Sequence, residues 1–281
     1  MKISIVMPSF NQAKFVENSL LSVFSQDYEN WEILFVDGES TDDTMQIVDR
    51  YRDRISFCVS EPDKGQSDAL RKGFSHATGD VLTWLNTDDL LLPGSLSEVS
   101  RVFLQKPALS WVLGNVIWID NEDIVLKCWK GEGFSSWHLS FGLLAAGGPS
   151  AFFSRELYDR VGGINVELDY QMDTELWWRF ALAKEEFVRL KGYTWALRLH
   201  RDAKVSGHMF AADGDPHQKA IAESKRSERT HVELVRDLVA TKYSRIYSPP
   251  LSALSKLTSF SYLSGSWDNF INRGKKLSEI F

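Results

Sequence analysis

Two adjacent carboxylates, in Asn86-Thr87-Asp88-Asp89, directly follow the apolar run at residues 81–85. Divalent cations such as Mg2+ take oxygen ligands, commonly one or two carboxylates together with substrate phosphates. Crowded carboxylates repel one another unless a cation neutralises them. The same residues also suit the approach to a helix, since Pro93-Gly94-Ser95 begins a helical pattern shortly afterwards; locally the two readings stand level. Three more polar clusters trail apolar runs: Pro8-Ser9-Phe10-Asn11, Asp37-Gly38-Glu39-Ser40-Thr41-Asp42 and Glu61-Pro62-Asp63-Lys64-Gly65-Gln66-Ser67-Asp68. Each alone is an ordinary loop. Brought to one edge, the four would form a site.

The elements around them predict that edge. Strands are expected at 3–7, 33–36, 56–60 and 81–85. Helices are expected at 13–25, at 41–51 with Ser40 or Thr41 as N-cap, at 67–77 closed by Gly79, and at 95–104. Such alternation specifies an α/β fold with a mostly parallel central sheet, both faces covered by helices. Ligands of these sheets bind beyond the carboxyl ends of the strands, where the four clusters lie. From Trp111 the pattern loosens: a strand pair at 112–119 and 124–129, a helix at 173–183, a strand at 193–200 and a polar helix at 216–242. Residues 1–215 are read as the main domain, with halves at about 1–105 and 106–215, and 216–281 as a helical extension. Within it, apolar residues recur every third or fourth position from Leu251 to Phe270.

Composition narrows the function classes. Hydrophobic residues make up 43% and charged residues 25%, as expected for a globular core. The net charge of −6 is uneven: residues 1–218 carry a surplus of 11 acidic groups and residues 219–281 a surplus of 5 basic ones. An acidic body argues against nucleic acid as a partner, while the basic, apolar-striped tail suits peripheral contact with an anionic membrane. No run of 18 apolar residues occurs. The first residues read as a strand rather than a leader, and Cys58 and Cys128 form no framework; both fit a reducing, cytoplasmic setting. The turn after the first strand has no glycine, so a GxGxxG dinucleotide site and a P-loop are both excluded.

The stretches 3–11 and 35–42, Glu61-Pro62-Asp63-Lys64-Gly65-Gln66-Ser67-Asp68-Ala69-Leu70 with Gly73, and Asn86-Thr87-Asp88-Asp89 resemble the first half of the family 2 glycosyltransferases of GT-A fold. Phe152-Phe153-Ser154-Arg155-Glu156-Leu157-Tyr158, Val161-Gly162-Gly163 and Met172-Asp173-Thr174-Glu175-Leu176-Trp177-Trp178-Arg179 resemble its second half. The resemblance implies an inverting transferase using a nucleoside-diphosphate sugar, UDP foremost, with Mn2+ or Mg2+. Pro8, Ser9, Asp37 and Asp63 would line base and ribose, with Asp68 and Arg71 beside them. Asn86, Thr87 and Asp88 stand where the family has its DxD motif, with an amide in place of the first carboxylate; Asp88 would hold the metal. Asp173 matches the catalytic base, which takes the proton of the attacking hydroxyl. His200 matches a late histidine that ligates metal or touches diphosphate, with Arg201 and Lys204 adding positive charge. Glu175 is a weaker alternative base, and Asp169 lies outside the matching spacing. The Gly147-Gly148-Pro149-Ser150 loop would shape the acceptor side, and Trp137, His138, Trp177 and Trp178 are either sugar platforms or core.

Relatives implied by this resemblance build glycans at the cytoplasmic face of the inner membrane, so a glycan or lipid-linked acceptor is expected. Two other readings compete: a non-catalytic nucleotide-sugar-binding subunit, favoured by Asn86, and a sugar-nucleotide hydrolase needing no acceptor pocket.

Overall fold

A computed structural model describes residues 1–131, 147–185, 187–201, 203–204, 268–269 and 271–281. Strands β1 (Ile3–Ser9), β2 (Trp31–Asp37), β3 (Phe57–Ser60) and β4 (Val81–Trp84) form a parallel block in the order β3-β2-β1-β4. β1 is buried along its whole length because both of its faces are covered. Ile3, Ile5 and Met7 point into one core cluster with Leu20 and Val23 of α1 (Val16–Phe24) and Val48 of α2 (Thr44–Asp49). Val6 points the other way, toward Leu70 and Phe74 of α3 (Gln66–His76). This alternation is the two-residue period of a strand. α3 lies so close to β1 that a Cβ at Gly73 would come within 2.3 Å of Val6 Cγ1.

Beyond β4 the pairing becomes mixed. β5 (Leu90–Leu91) and α4 (Ser95–Gln105) lead into the long β6 (Trp111–Ile119), which pairs antiparallel with β7 (Val125–Trp129). β8 (Ala151–Ser154) inserts antiparallel between β4 and β6. α5 (Arg155–Arg160) and α6 (Met172–Leu182) follow, and β9 (Phe187–Arg198) returns parallel to β6 and antiparallel to β5. Trp177 of α6 stacks between Trp84 and Trp111 at ring-centroid distances of 5.8 and 5.5 Å. It is fully buried and Trp178 is buried with it, so both serve the core. Trp137 and His138 lie outside the described residues, as do the helix expected at 216–242 and nearly all of the apolar stripe at 251–270.

The described end of the chain docks onto the hairpin. Val125 N donates to Lys275 O and Gly274 N to Val125 O, both at 2.8 Å, and Leu277 packs with Ile119, Val125 and Cys128. Among the described residues, no helix is long and apolar enough to cross a membrane.

Two local expectations are corrected. The second helix begins at Thr44, not after Ser40 or Thr41, because Ser40 is taken by Asp37 and Asp42 binds Thr44. Gly79 does not close α3, which ends at the extended Ala77. Gly79 instead lets the chain pass β1, where a Cβ would come within 2.7 Å of Lys2 O.

At the edge opposite the four clusters, buried Glu32 accepts hydrogen bonds from Lys2 Nζ, Ser4 Oγ and Thr78 N, each at 2.6 Å. Burial alone would raise this carboxyl, but these donors bring it down to about 2. A carboxyl lowered on folding stabilises the fold above its unfolded value of about 4.3, and that contribution is lost as pH falls toward 2. Glu32→Gln is therefore expected to cost about 1 kcal/mol at pH 7, the rest of the shift being screened by solvent, with the gap to wild type closing in urea melts below about pH 4.

Candidate active site

The parallel block sends the ends of β1, β2, β3 and β4 to one edge, and a cavity of about 440 Å³ opens there. Pro8, Ser9 and Phe10 form one wall, Gly38 and Asp63 another, and Asn86, Thr87 and Asp88 the floor. Phe10 is 60% exposed at the mouth. Gly38 leaves room for the Asp63 carboxylate: a Cβ there would sit 2.8 Å from Asp63 Oδ2, and the aspartate would have to shift. Burial raises the Asp63 carboxyl, against a hydrogen bond from Gly65 N. Thr87 is buried, and its hydroxyl ties the floor to Pro8 O at 3.2 Å.

Three of the residues expected to contact the nucleotide already have partners within the protein. Asp37 is fully buried, and its carboxylate accepts from Ser40 N, Ser40 Oγ and Ser60 Oγ, so it shapes the turn behind the cavity wall. Asp68 accepts from Lys64 N. Arg71 donates to Gly162 O at 3.0 Å and Ile164 O at 2.8 Å, pinning α3 to the loop before α6. None of the three lines the cavity.

The 86–89 turn is a polar knot. Asp89 is fully buried; burial first, and then the neighbouring Asp88 carboxylate, push it well above the usual range. It accepts from Arg198 N at 2.9 Å and Asn86 Nδ2 at 3.0 Å. This explains the amide at position 86: a carboxylate there would face Asp89 with no proton to give. Arg198, 1% exposed, clamps the turn from the other side by donating from Nε to Asp88 O and from Nη1 to Asp120 O. Asp88 Oδ2 lies 3.0 Å from His200 Nε2, and the imidazole packs against Phe15. A carboxylate oxygen and an imidazole nitrogen side by side form a donor set that would suit Mn2+, with Asp88 the residue of choice for Mg2+. Among the described residues, no group of three or more His, Cys, Asp or Glu could hold an ion alone.

A second cavity of about 430 Å³ adjoins the first, and Gln66, Asn86, Asp88 and Lys204 line both. Its floor is a sheet face carrying Trp118, Trp129 and Trp195, and its far wall is Gly147, Gly148 and Asp173. A Cβ at Gly148 would lie 2.2 Å from the Trp84 ring, so only glycine lets this loop approach β4. Asp173 stands in the first turn of α6, and its Oδ1 accepts from Thr174 N at 2.7 Å. Burial raises this carboxyl despite hydrogen bonds from Thr174 and Gly148. Glu175 is buried and grips Arg179 through both oxygens, at 2.9 and 2.7 Å, which commits it to structure. Sequence reasoning gave no role to Gln66 or Arg198 and set Asp169 aside, yet all three line this second cavity.

A parallel α/β half joined to a mixed half is the architecture of GT-A glycosyltransferases. TarS from S. aureus in complex with UDP-GlcNAc shares the fold at a TM-score of 0.65 and 18% identity, over 84% of this chain and 66% of that one. So does the mannosyltransferase PcManGT from Pyrobaculum calidifontis in complex with GDP-Man and Mn2+, at a TM-score of 0.54 and 17% identity, over 95% and 82%.

In sequence, residues 4–133 match the family described as Glycosyl transferase family 2. It is 34% identical over 126 residues to the Escherichia coli UDP-Glc:alpha-D-GlcNAc-diphosphoundecaprenol beta-1,3-glucosyltransferase WfgD, covering 44% of this chain and 49% of that protein. It is 32% identical over 136 residues to the Campylobacter jejuni GalNAc(5)-diNAcBac-PP-undecaprenol beta-1,3-glucosyltransferase, covering 47% and 43%. The chain thus spans about half the length of the curated relatives it matches.

Proposed function

We propose that the chain is an inverting glycosyltransferase that moves a sugar from a nucleoside-diphosphate sugar, a UDP-sugar first, to a hydroxyl of a glycan or lipid-linked acceptor. The observation that carries this reading is the pair of adjoining cavities with Asp88 at their junction and Asp173 in the second. The first cavity has the size and polar floor for a nucleotide, with Phe10 positioned to cover a base and Asp63 to accept from a ribose hydroxyl. The diphosphate would then reach Asp88 and place the anomeric carbon toward the second cavity.

There Asp173 accepts the proton of the incoming hydroxyl as its oxygen bonds to the anomeric carbon and the bond to diphosphate breaks, inverting the centre. A divalent ion held by Asp88 and His200 would supply positive charge to the leaving diphosphate. Arg198 keeps the Asp88–Asp89 turn in place, and the buried wall around Asp173 limits water as a competing nucleophile. The donor and acceptor named for WfgD support a UDP-sugar and a lipid-diphosphate acceptor, and such an acceptor would be met at a membrane face. The amide at Asn86 answers the needs of Asp89 and is no sign of lost catalysis.

The test is a panel of UDP-, GDP- and dTDP-sugars incubated with Mn2+, with and without an undecaprenyl-diphosphate sugar. Release of one nucleoside diphosphate that requires the lipid acceptor is expected. Equal release with water alone would replace transfer by hydrolysis. No release from any donor would favour a binding subunit.

A further inference from the structure

Between the two cavities runs a chain of polar contacts that the proposed reaction does not use. Lys204 Nζ donates to Asp169 Oδ1 at 2.7 Å, to Asp169 O, and to Gln66 Oε1 at 3.3 Å. Gln66 Nε2 donates in turn to Asn86 Oδ1 at 2.6 Å, and Asn86 Nδ2 to Asp89 at 3.0 Å. The Lys204 ammonium is therefore one glutamine side chain away from the turn that carries Asp88, and Lys204 lines both cavities beside it. Asp169 reaches this place because Gly65, at φ +114°, leaves room: a Cβ there would lie 3.1 Å from Asp169 Oδ1.

We infer that Lys204 is a shared cation, exchanged between Asp169 and the diphosphate of a bound nucleotide, so that Asp169 sets the affinity for donor and for the released nucleoside diphosphate. This rests on the first cavity being the donor site. The ion pair is suited to exchange, since its side chains are 32% and 25% exposed. Pairs this open to water hold weakly, whereas a diphosphate offers more charge and more acceptor oxygens to a lysine. The Lys204 Nζ also lies over the Tyr170 ring, 5.0 Å from its centroid, and its flexible four-carbon stem lets it turn from one partner to another. Asp169 would then oppose tight retention of the leaving nucleotide, a useful property where product release limits turnover.

The experiment is calorimetric titration of UDP, GDP and dTDP with Mn2+ into wild type, Asp169→Asn, Lys204→Met and the double variant, with melting temperatures as the folding control. For the diphosphate that wild type binds, Asp169→Asn is expected to bind about three- to fivefold more tightly, the worth of a weak exposed ion pair. Lys204→Met should bind about tenfold more weakly, and the double variant should match Lys204→Met, since the proposed effect of Asp169 on the nucleotide runs through Lys204. Unchanged or weaker binding in Asp169→Asn, or a double variant as tight as Asp169→Asn alone, overturns the inference while leaving the donor site intact. A wild type that binds none of the three diphosphates overturns the donor-site reading and the inference with it.

Discussion

Asp173→Asn is expected to lower the transfer rate by about 10²- to 10⁴-fold, the usual contribution of a positioned general base. Binding of the nucleoside diphosphate should be unchanged, since Asp173 lines only the second cavity. The pH profile gives a sharper signature. Burial lifts the Asp173 carboxyl above its ordinary value even though Thr174 and Gly148 donate to it. A base acts only when deprotonated, so kcat/KM should fall as pH drops through that raised value, above the ordinary aspartate value of about 3.9. The limb should vanish in Asp173→Asn. Stability should move the other way. A carboxyl raised on folding stabilises the fold below its unfolded value, and that contribution is lost as pH rises through the folded value. At pH 7 the asparagine variant is therefore expected to melt at or above wild type, the usual trade at a strained site. A variant that keeps its rate, or loses it only together with its fold, removes Asp173 from the chemistry.

Asp88→Ala is the second large effect. It removes one of the two protein atoms placed to hold the ion, and with it several kcal/mol of charge stabilisation. Affinity for UDP in the presence of Mn2+ is expected to fall about 100-fold or more, at about 1.4 kcal/mol for each factor of ten. Without added ion the two proteins should differ little. His200→Ala should show a smaller loss of the same kind. The fold should survive Asp88→Ala, because removing this carboxylate relieves the charge beside buried Asp89.

The parallel half was legible because strands covered on both faces must be apolar throughout, and the helices between them keep a clear period. Convergence of the four polar clusters follows from parallel pairing alone. The second half was harder for a physical reason. β5 has two residues, β8 four and α5 six, all shorter than the window over which a period can declare itself. Asp37 and Arg71 have partners that spacing alone does not announce: Ser40 and Ser60 for the first, the 162–164 backbone for the second. Trp177 suits a sugar platform by type, but a buried core is the commoner use of such a residue, and the core is where it lies. The Lys204 contact to Gln66 spans 138 residues, so no local spacing could reveal it.

The most direct measurement is a crystal structure with UDP and Mn2+ bound, with anomalous scattering used to find the ion. Expected are the base against Phe10 and Asp63, the ion between Asp88 and His200, and the terminal phosphate facing the cavity that holds Asp173. A nucleotide seated in the second cavity, or an ion bound away from Asp88, would contradict the assignment of donor and acceptor sides on which the proposed transfer depends.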